Sequence, residues 1–378
     1  MSKTIAIALV LTSLMGAIAG CRPAKRGEER LAEDSANAQK IQSDLTFKNI
    51  TLEQANEQGQ TLWKVHADQA TYSQDKELAQ ITNPNGELFQ DGKAIFHIQA
   101  QKGEVRQNGQ TISMQGQIVA TDKRSGAVLR GDRLTWDPKQ GLLVVRNNLR
   151  GDHPQVKLVA NEGRMYTREQ RLELTGQVTA ISNDPDLRMQ AEHITWTMKD
   201  NRLVSTGFTQ VDRLKNNRVT DTAKGNQAEF NLKTKIATLT QNAQLVLTDP
   251  PVQISSNSIV WDIKGQTAVS NQPLTVVHQQ QQVRLTANQG RLNLEQRIFY
   301  LTSNVHAIAQ RNQSQLTSDR LTWTIPSQSF VAEGNVNYRQ VNPVTTVRGP
   351  RAVGKLSNQT IVVSGGRVAT EIIPNQLP

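Results

Sequence analysis

From Leu45 onward the chain is written in short alternations of apolar and polar residues. Val156, Leu158 and Ala160 form one such run, and Ile194, Trp196 and Met198 another; Ile259, Trp261, Ile263 and Val283, Leu285, Ala287 repeat the pattern. A period of two places one face of an extended strand against a core and the other against water, so these runs predict half-buried β-strands. No stretch after Leu45 carries the 3.6-residue period of an amphipathic helix. Turn signals separate the runs, as in "DPKQG" (137–141), "MKDN" (198–201) and "IKGQ" (263–266). A second set of breaks falls inside the returning strands, at Gly116, Gly176, Gly207, Asn242, Asn271, Asn304, Gly334 and Gly366.

One six-residue phrase recurs ten times: "ADQATY" (67–72), "AQKGEV" (100–105), "GDRLTW" (131–136), "ANEGRM" (160–165), "AEHITW" (191–196), "GNQAEF" (225–230), "SNSIVW" (256–261), "ANQGRL" (287–292), "SDRLTW" (318–323) and "GPRAVG" (349–354). Their starting positions lie 29 to 34 residues apart, most often 31, the mark of a repeat array. The first position is always Ala, Gly or Ser and the fourth always Ala, Gly, Leu or Ile; the sixth is apolar or aromatic except at Gly354. Upstream alternation shares a face with position one, whereas downstream alternation runs through positions four and six. One to four is an odd step, so a flat strand would point the two apolar sets to opposite faces. A bulge or corner at positions two and three restores a single buried face and bends the strand. The expectation is an array of about ten repeats of ~31 residues, each an antiparallel out-and-back pair with both legs bent. At about 4.8 Å per strand such an array spans on the order of 100 Å.

Composition agrees with solvated β-structure: 37 % of residues are hydrophobic, only 4 % aromatic, and Gln, Asn and Thr abound. Residues 1–20 have the form of an export signal, with Lys3 ahead of the apolar run "IAIALVLTSLMGAIA" and small residues before Cys21. "IAGC" (18–21) is similar to a bacterial lipobox, whose cysteine is acylated; the alternatives are an incidental cysteine or a retained membrane anchor. The apolar run falls short of the ~20 residues that span a bilayer. Cys21 is the single cysteine, so no intramolecular disulfide forms. Residues 21–44 are polar and charged and serve as a tether, with room for a short helix over residues 28–41. The net charge of +10 would suit nucleic acid, but an exported chain with scattered basic residues points to anionic membrane surfaces or glycolipids instead, or to a basic solvated face.

Candidate chemistry is sparse. His66, His97, His153, His193, His278 and His306 occupy unrelated columns without ligand spacing. No nucleophile elbow, P-loop or paired acid–base carboxylates recur, so no enzyme, no metal and no cofactor is expected. The interior column remains: Tyr72, Val105, Trp136, Met165, Trp196, Phe230, Trp261, Leu292 and Trp323, with Ala191 at a first position. These residues either fill a core between two packed sheets or line an apolar trough for long ligands.

Residues 59–143 resemble the LptC family of periplasmic lipopolysaccharide-transport proteins. The likeness lies in G-x-x-x-W-x-x-x-A (Gly59, Trp63, Ala67), A-x-x-G (Ala100–Gly103) and M-x-G-x-I (Met114, Gly116, Ile118). Later repeats, with the same A-x-x-G and G-x-V cadence, are similar to LptA/OstA-type domains. The resemblance implies an all-β, elongated open antiparallel β-jellyroll (a β-taco) whose groove holds the acyl chains of lipid A. It also implies an inner-membrane lipopolysaccharide ABC exporter as donor and an LptA-like bridge joined by edge-strand pairing as acceptor. An LptC-like jellyroll is then expected over 45–150 and LptA/OstA-like repeats over 151–378, in a periplasmic protein held at the membrane, more readily the inner one, by its N-terminus. Two departures stand out: the family usually anchors by a transmembrane helix, and this body is about twice the usual LptC size. The rival reading is a structural or adhesive envelope lipoprotein with a closed, dry core. A third, a polysaccharide-active β-helix enzyme, lacks the carboxylate cluster it needs.

Overall fold

The computed structural model describes residues 45–373, apart from 74–76, 107–110, 342–343 and 358–359. The export signal, Cys21, the tether and the helix considered over 28–41 lie outside the described residues.

The alternating runs form strands, and every described pairing between them is antiparallel. A central stretch shows the rule. Strands Val128–Asp137, Leu142–Asp152, Lys157–Tyr166, Arg171–Asn183 and Asp186–Thr197 follow one another in sequence, and each pairs with the next. Every one of these ladders breaks register near its middle, for example between Arg130 and Arg133 or between Thr175 and Val178. The break falls on hexamer position two, joined in some ladders by position one, while position three is already paired, so the bend comes one residue earlier than expected. There Asp132 and Arg133, Glu192 and His193, and Asp319 and Arg320 are exposed, while positions four and six are buried.

Opposite most breaks the returning strand places consecutive residues in the left-handed region: Gly116–Gln117, Asn147–Asn148, Gly176–Gln177, Gln241–Asn242, Ser303–Asn304 and Gly334–Asn335; opposite Glu192 only Gly207 does so. A bulge on one strand and a left-handed pair on its neighbour turn the sheet through a shared corner. The sheet thus folds into two leaves of one antiparallel β-jellyroll. Leaf one holds the half-strands up to position one of the hexamer, and leaf two those from position three onward. The corner at Asn147–Asn148 had no glycine to announce it in the sequence. At Asn271 the strand is instead interrupted, between Thr267–Ser270 and Leu274–His278.

Hexamer position two fastens the corner. It is Asp, Asn, Gln or Glu in nine of the ten copies. Asp68 Oδ2 accepts from Asn83 Nδ2 at 2.8 Å, Asp132 Oδ2 from Asn148 Nδ2 at 2.7 Å and Asp319 Oδ2 from Asn335 Nδ2 at 2.9 Å. At Gly176 and Gly334 the position-two side chain lies directly over the corner glycine, whereas a Cβ on Gly207 would meet nothing within 4 Å. A Cβ on Gly176 would meet Asn161 Nδ2 at 2.5 Å, and one on Gly334 would meet Asp319 Oδ2 at 2.3 Å. The small first position has a matching cause: a Cβ on Gly131 would stand 2.6 Å from Val145 Cγ1.

Among the described residues the outermost strands have no partner on their outer side. Leu45–Ala55 pairs with Thr61–Tyr72, while Thr360–Ser364 and Ala369–Ile373 pair with Val344–Lys355. The described residues from Thr46 onward form one unit.

Gly176 and Gly126 both have positive φ, at 80° and 73°, but only Gly176 is crowded. Gly176→Ala adds a clash with Asn161 to the left-handed cost of roughly 1–2 kcal/mol that an alanine carries at either site. Denaturant titration of the two variants therefore gives the lower midpoint for Gly176→Ala; equal midpoints would mean that the corner relaxes freely.

Candidate functional site: the interior row and its seam

On leaf two the cross-strand registers connect twenty residues into one unbroken row. It begins Tyr72, Ala79, Val105, Ile112, Trp136. It continues Leu143, Met165, Leu172, Trp196, Leu203, Phe230. Ala237, Trp261, Ala268, Leu292 and Phe299 follow, and Trp323, Phe330, Gly354 and Ile361 complete it. Nineteen steps of about 4.8 Å make the row roughly 90 Å long. Nine of the ten interior candidates belong to it. Ala191 does not; it pairs with Val178 and Thr209 beside the corner.

The row is buried. Trp136 and Trp261 are 0 % exposed, Trp196 and Trp323 2 %, Met165 3 %, Phe230 6 % and Val105 7 %; Tyr72 and Ala191 are partly buried. A second apolar row on leaf one faces it, through Leu158, Ala180, Met189 and Val211 in one stretch. Side chains of both leaves enclose several small cavities. One of about 70 Å³ lies among Val283, Leu285, Leu316, Trp323, Phe330 and Leu356. Another of about 60 Å³ adjoins it toward Arg311 and Ile361. One of about 30 Å³ lies among Val156, Met189, Val211, Phe230 and Leu232. The interior is packed, with small voids strung along its length.

Its two long edges differ. At the corner the strands themselves pass from leaf to leaf. At the opposite edge, the seam, the chain turns back within each leaf, and the described contacts that cross are made by side chains. Arg124 Nη1 donates to the Thr167 carbonyl at 3.3 Å. Lys235 Nζ reaches the Asp184 carbonyl and stands 3.7 Å from its carboxylate. The remaining crossings lie over the tryptophans. The His153 ring meets Trp196 edge-on at 4.8 Å, and His278 meets Trp323 at 5.7 Å. Arg213 lies 6.0 Å from the Trp261 ring. Arg213 is bonded to the fully buried Asp221, whose Oδ1 stands 4.0 Å from Arg297 Nη1 of leaf two.

Sequence reading passed over these seam residues because the histidines share no hexamer column. The signal was a spacing: His153 precedes Trp196 by 43 residues and His278 precedes Trp323 by 45. Burial holds the His153 imidazole below its ordinary pKa, with Asp122 opposing. Burial also lowers His278, against its own backbone hydrogen bond and with help from Arg311. Both rings therefore sit neutral over indole at pH 7. The four indole nitrogens, Trp136, Trp196, Trp261 and Trp323 Nε1, are buried without a hydrogen-bond partner, an omission worth about 1–3 kcal/mol for each buried donor.

A depressed histidine pKa in the folded state means that the unfolded chain takes up its proton first on acidification. These two groups thus remove stability as pH falls below about 6.5. The carboxylates of Glu162 and Glu229, lowered in the fold, contribute losses only from about pH 4.5 downward. Thermal melts are expected to decline between pH 7 and 5, and the decline to flatten in a His153→Phe/His278→Phe variant. An unchanged slope in that variant would show that the rings do not bear on the seam.

A family profile described as "Lipopolysaccharide-assembly, LptC-related" matches residues 5–146, 142–249 and 253–370. No curated protein matches the chain. Among solved structures, similarity is found to the crystal structure of LptH, the LptA homologous periplasmic component of the conserved lipopolysaccharide transport device from Pseudomonas aeruginosa. That match covers 32 % of this chain and 86 % of the other at 16 % identity, with a TM-score of 0.28.

Proposed function

With three successive matches spanning nearly its whole length, the chain belongs to the LptC-related lipopolysaccharide-assembly family, and we propose that the space between its two leaves carries the acyl chains of lipid A. Membership makes it a periplasmic component of lipopolysaccharide transport and not an enzyme. No described helix is long and apolar enough to cross a membrane.

The observation that carries the proposal is the unbroken twenty-residue row. Apolar chains crossing water need continuous apolar surface, and this row offers it in register over roughly 90 Å. The seam gives lateral access: opening it breaks side-chain contacts and leaves the ladders of both leaves intact. In this reading residues 45–150 form the receiving LptC-like part, taking lipopolysaccharide from an inner-membrane ABC exporter. Residues 151–378 continue the path as LptA/OstA-like repeats, in place of part of a separate bridge. Edge strands at Leu45–Ala55 and Thr360–Ser364 suit strand addition to an LptA-like partner. Cys21, acylated, holds the protein at the membrane, the inner one on this account.

The closed-core alternative draws on the packing itself, since the row is nearly inaccessible in the resting state. A photo-reactive residue at 196 or 261 separates the two readings. Transport predicts crosslinks to lipopolysaccharide from these inward positions and none from the outward neighbour at 260, and Ala191→Arg lowers the yield while the fold persists. Absence of crosslinks at both inward positions in a folded protein sinks the transport reading.

A further inference from the structure

The four tryptophans of the row are a poor choice for filling space alone. The same hexamer position is taken by Met165, Phe230 and Leu292 in the intervening copies, and those side chains fill it without bringing a polar group. The indoles bring four N–H donors, each at least 98 % buried and each without an acceptor. Chance placement does not account for their order either. Trp136, Trp196, Trp261 and Trp323 occupy every fourth rung of leaf two, about 19 Å apart at 4.8 Å per rung. Trp323 borders the cavity of about 70 Å³ and Trp196 one of about 20 Å³ beside His153. The nearby histidine rings offer at most weak N–H···π contacts.

We propose that these four indole N–H groups are ligand contacts, a series of equivalent stations that each donate a hydrogen bond to the carbonyl oxygen of an acyl ester. The inference rests on the transport reading above and specifies what the interior recognises beyond hydrocarbon. The choice of an ester carbonyl follows from the surroundings. Apolar side chains dominate the row, so a ligand hydroxyl or amide N–H would leave its own proton unpaired there. An ester carbonyl accepts and has nothing to donate. Equivalent stations four rungs apart give an acyl ester the same partner at each stop along the row, with apolar rungs between.

The test compares two phosphatidylglycerols of equal chain length, one with ester-linked and one with ether-linked chains, the second lacking the carbonyl. Binding is measured on the full chain by competition, with the indole N–H band in ultraviolet resonance Raman as a direct reading of hydrogen bonding. The ester lipid is expected to bind about fivefold more tightly, the worth of one typical hydrogen bond, and to shift the indole band. In the variant with all four tryptophans changed to Phe, both lipids bind alike, at the affinity of the ether lipid. Single Trp261→Phe and Trp323→Phe variants, each with a reduced preference or band shift, serve if the fourfold variant does not fold. Equal binding of both lipids to the unaltered protein, with no band shift, overturns the proposal and leaves the transport reading standing. Binding of neither lipid, and of no lipopolysaccharide, overturns both.

Discussion

Everything in this protein depends on the corner. A strand with a period of two has one apolar face, and the sequence spends an odd number of residues between its two apolar sets. The bulge at hexamer position two absorbs the mismatch, and the left-handed residues on the neighbouring strand turn with it. Without the corner, Trp136 and Leu129 would face opposite sides of a flat sheet and neither could be covered. With it, one strand contributes to both leaves, and each added repeat lengthens the same interior. In several copies the side chain at position two secures the bend, by a direct hydrogen bond to asparagine or by lying over glycine.

The corner also sets the asymmetry between the two long edges of the interior. One long edge of the interior is closed by the strands themselves. The other is closed by side chains: two histidines and an arginine over indole rings, a lysine on an aspartate, and an arginine on a carbonyl. Ring contacts at the seam add about 0.5–1.5 kcal/mol beyond their burial and its exposed ion pairs contribute little each, while the buried Asp221 facing Arg297 is costlier to part. Parting the seam breaks side-chain contacts only, whereas parting the corner breaks the strand ladders themselves. Under the transport proposal, a buried row that opened along this side would combine shelter from water with lateral access. The same row explains why no catalytic apparatus is needed: a carrier has only to present equivalent surface at successive steps.

Much of this was legible before any coordinates. The column of Trp136, Met165, Trp196, Phe230, Trp261, Leu292 and Trp323 identified a single physical row, because hexamer copies are two strands apart and the ladder keeps register. Parity alone placed the bend to within a residue: it pointed to positions two and three, and the break falls at position two, with position one in some ladders. The seam was not legible, since His153, Arg213, Asp221 and His278 sit near turns whose lengths vary, so a fixed period does not align them. Asn147–Asn148 escaped notice because asparagine tolerates the left-handed region without glycine's signature. Ala191 was grouped with the row although a small first position belongs beside the corner. Whether the interior was filled or open lay beyond pattern altogether, since packing across the leaves depends on which side chains meet at the seam.

The central claim is that acyl chains enter by the seam. Its most direct test joins the two leaves there, with cysteines at 184 and 235 in a Cys21→Ser background bridged by a short bismaleimide. Bound lipopolysaccharide is then quantified after incubation and repurification. The account predicts that the bridged protein fails to load while the same protein with its cysteines singly capped loads normally. Equal loading of bridged and capped protein would contradict it.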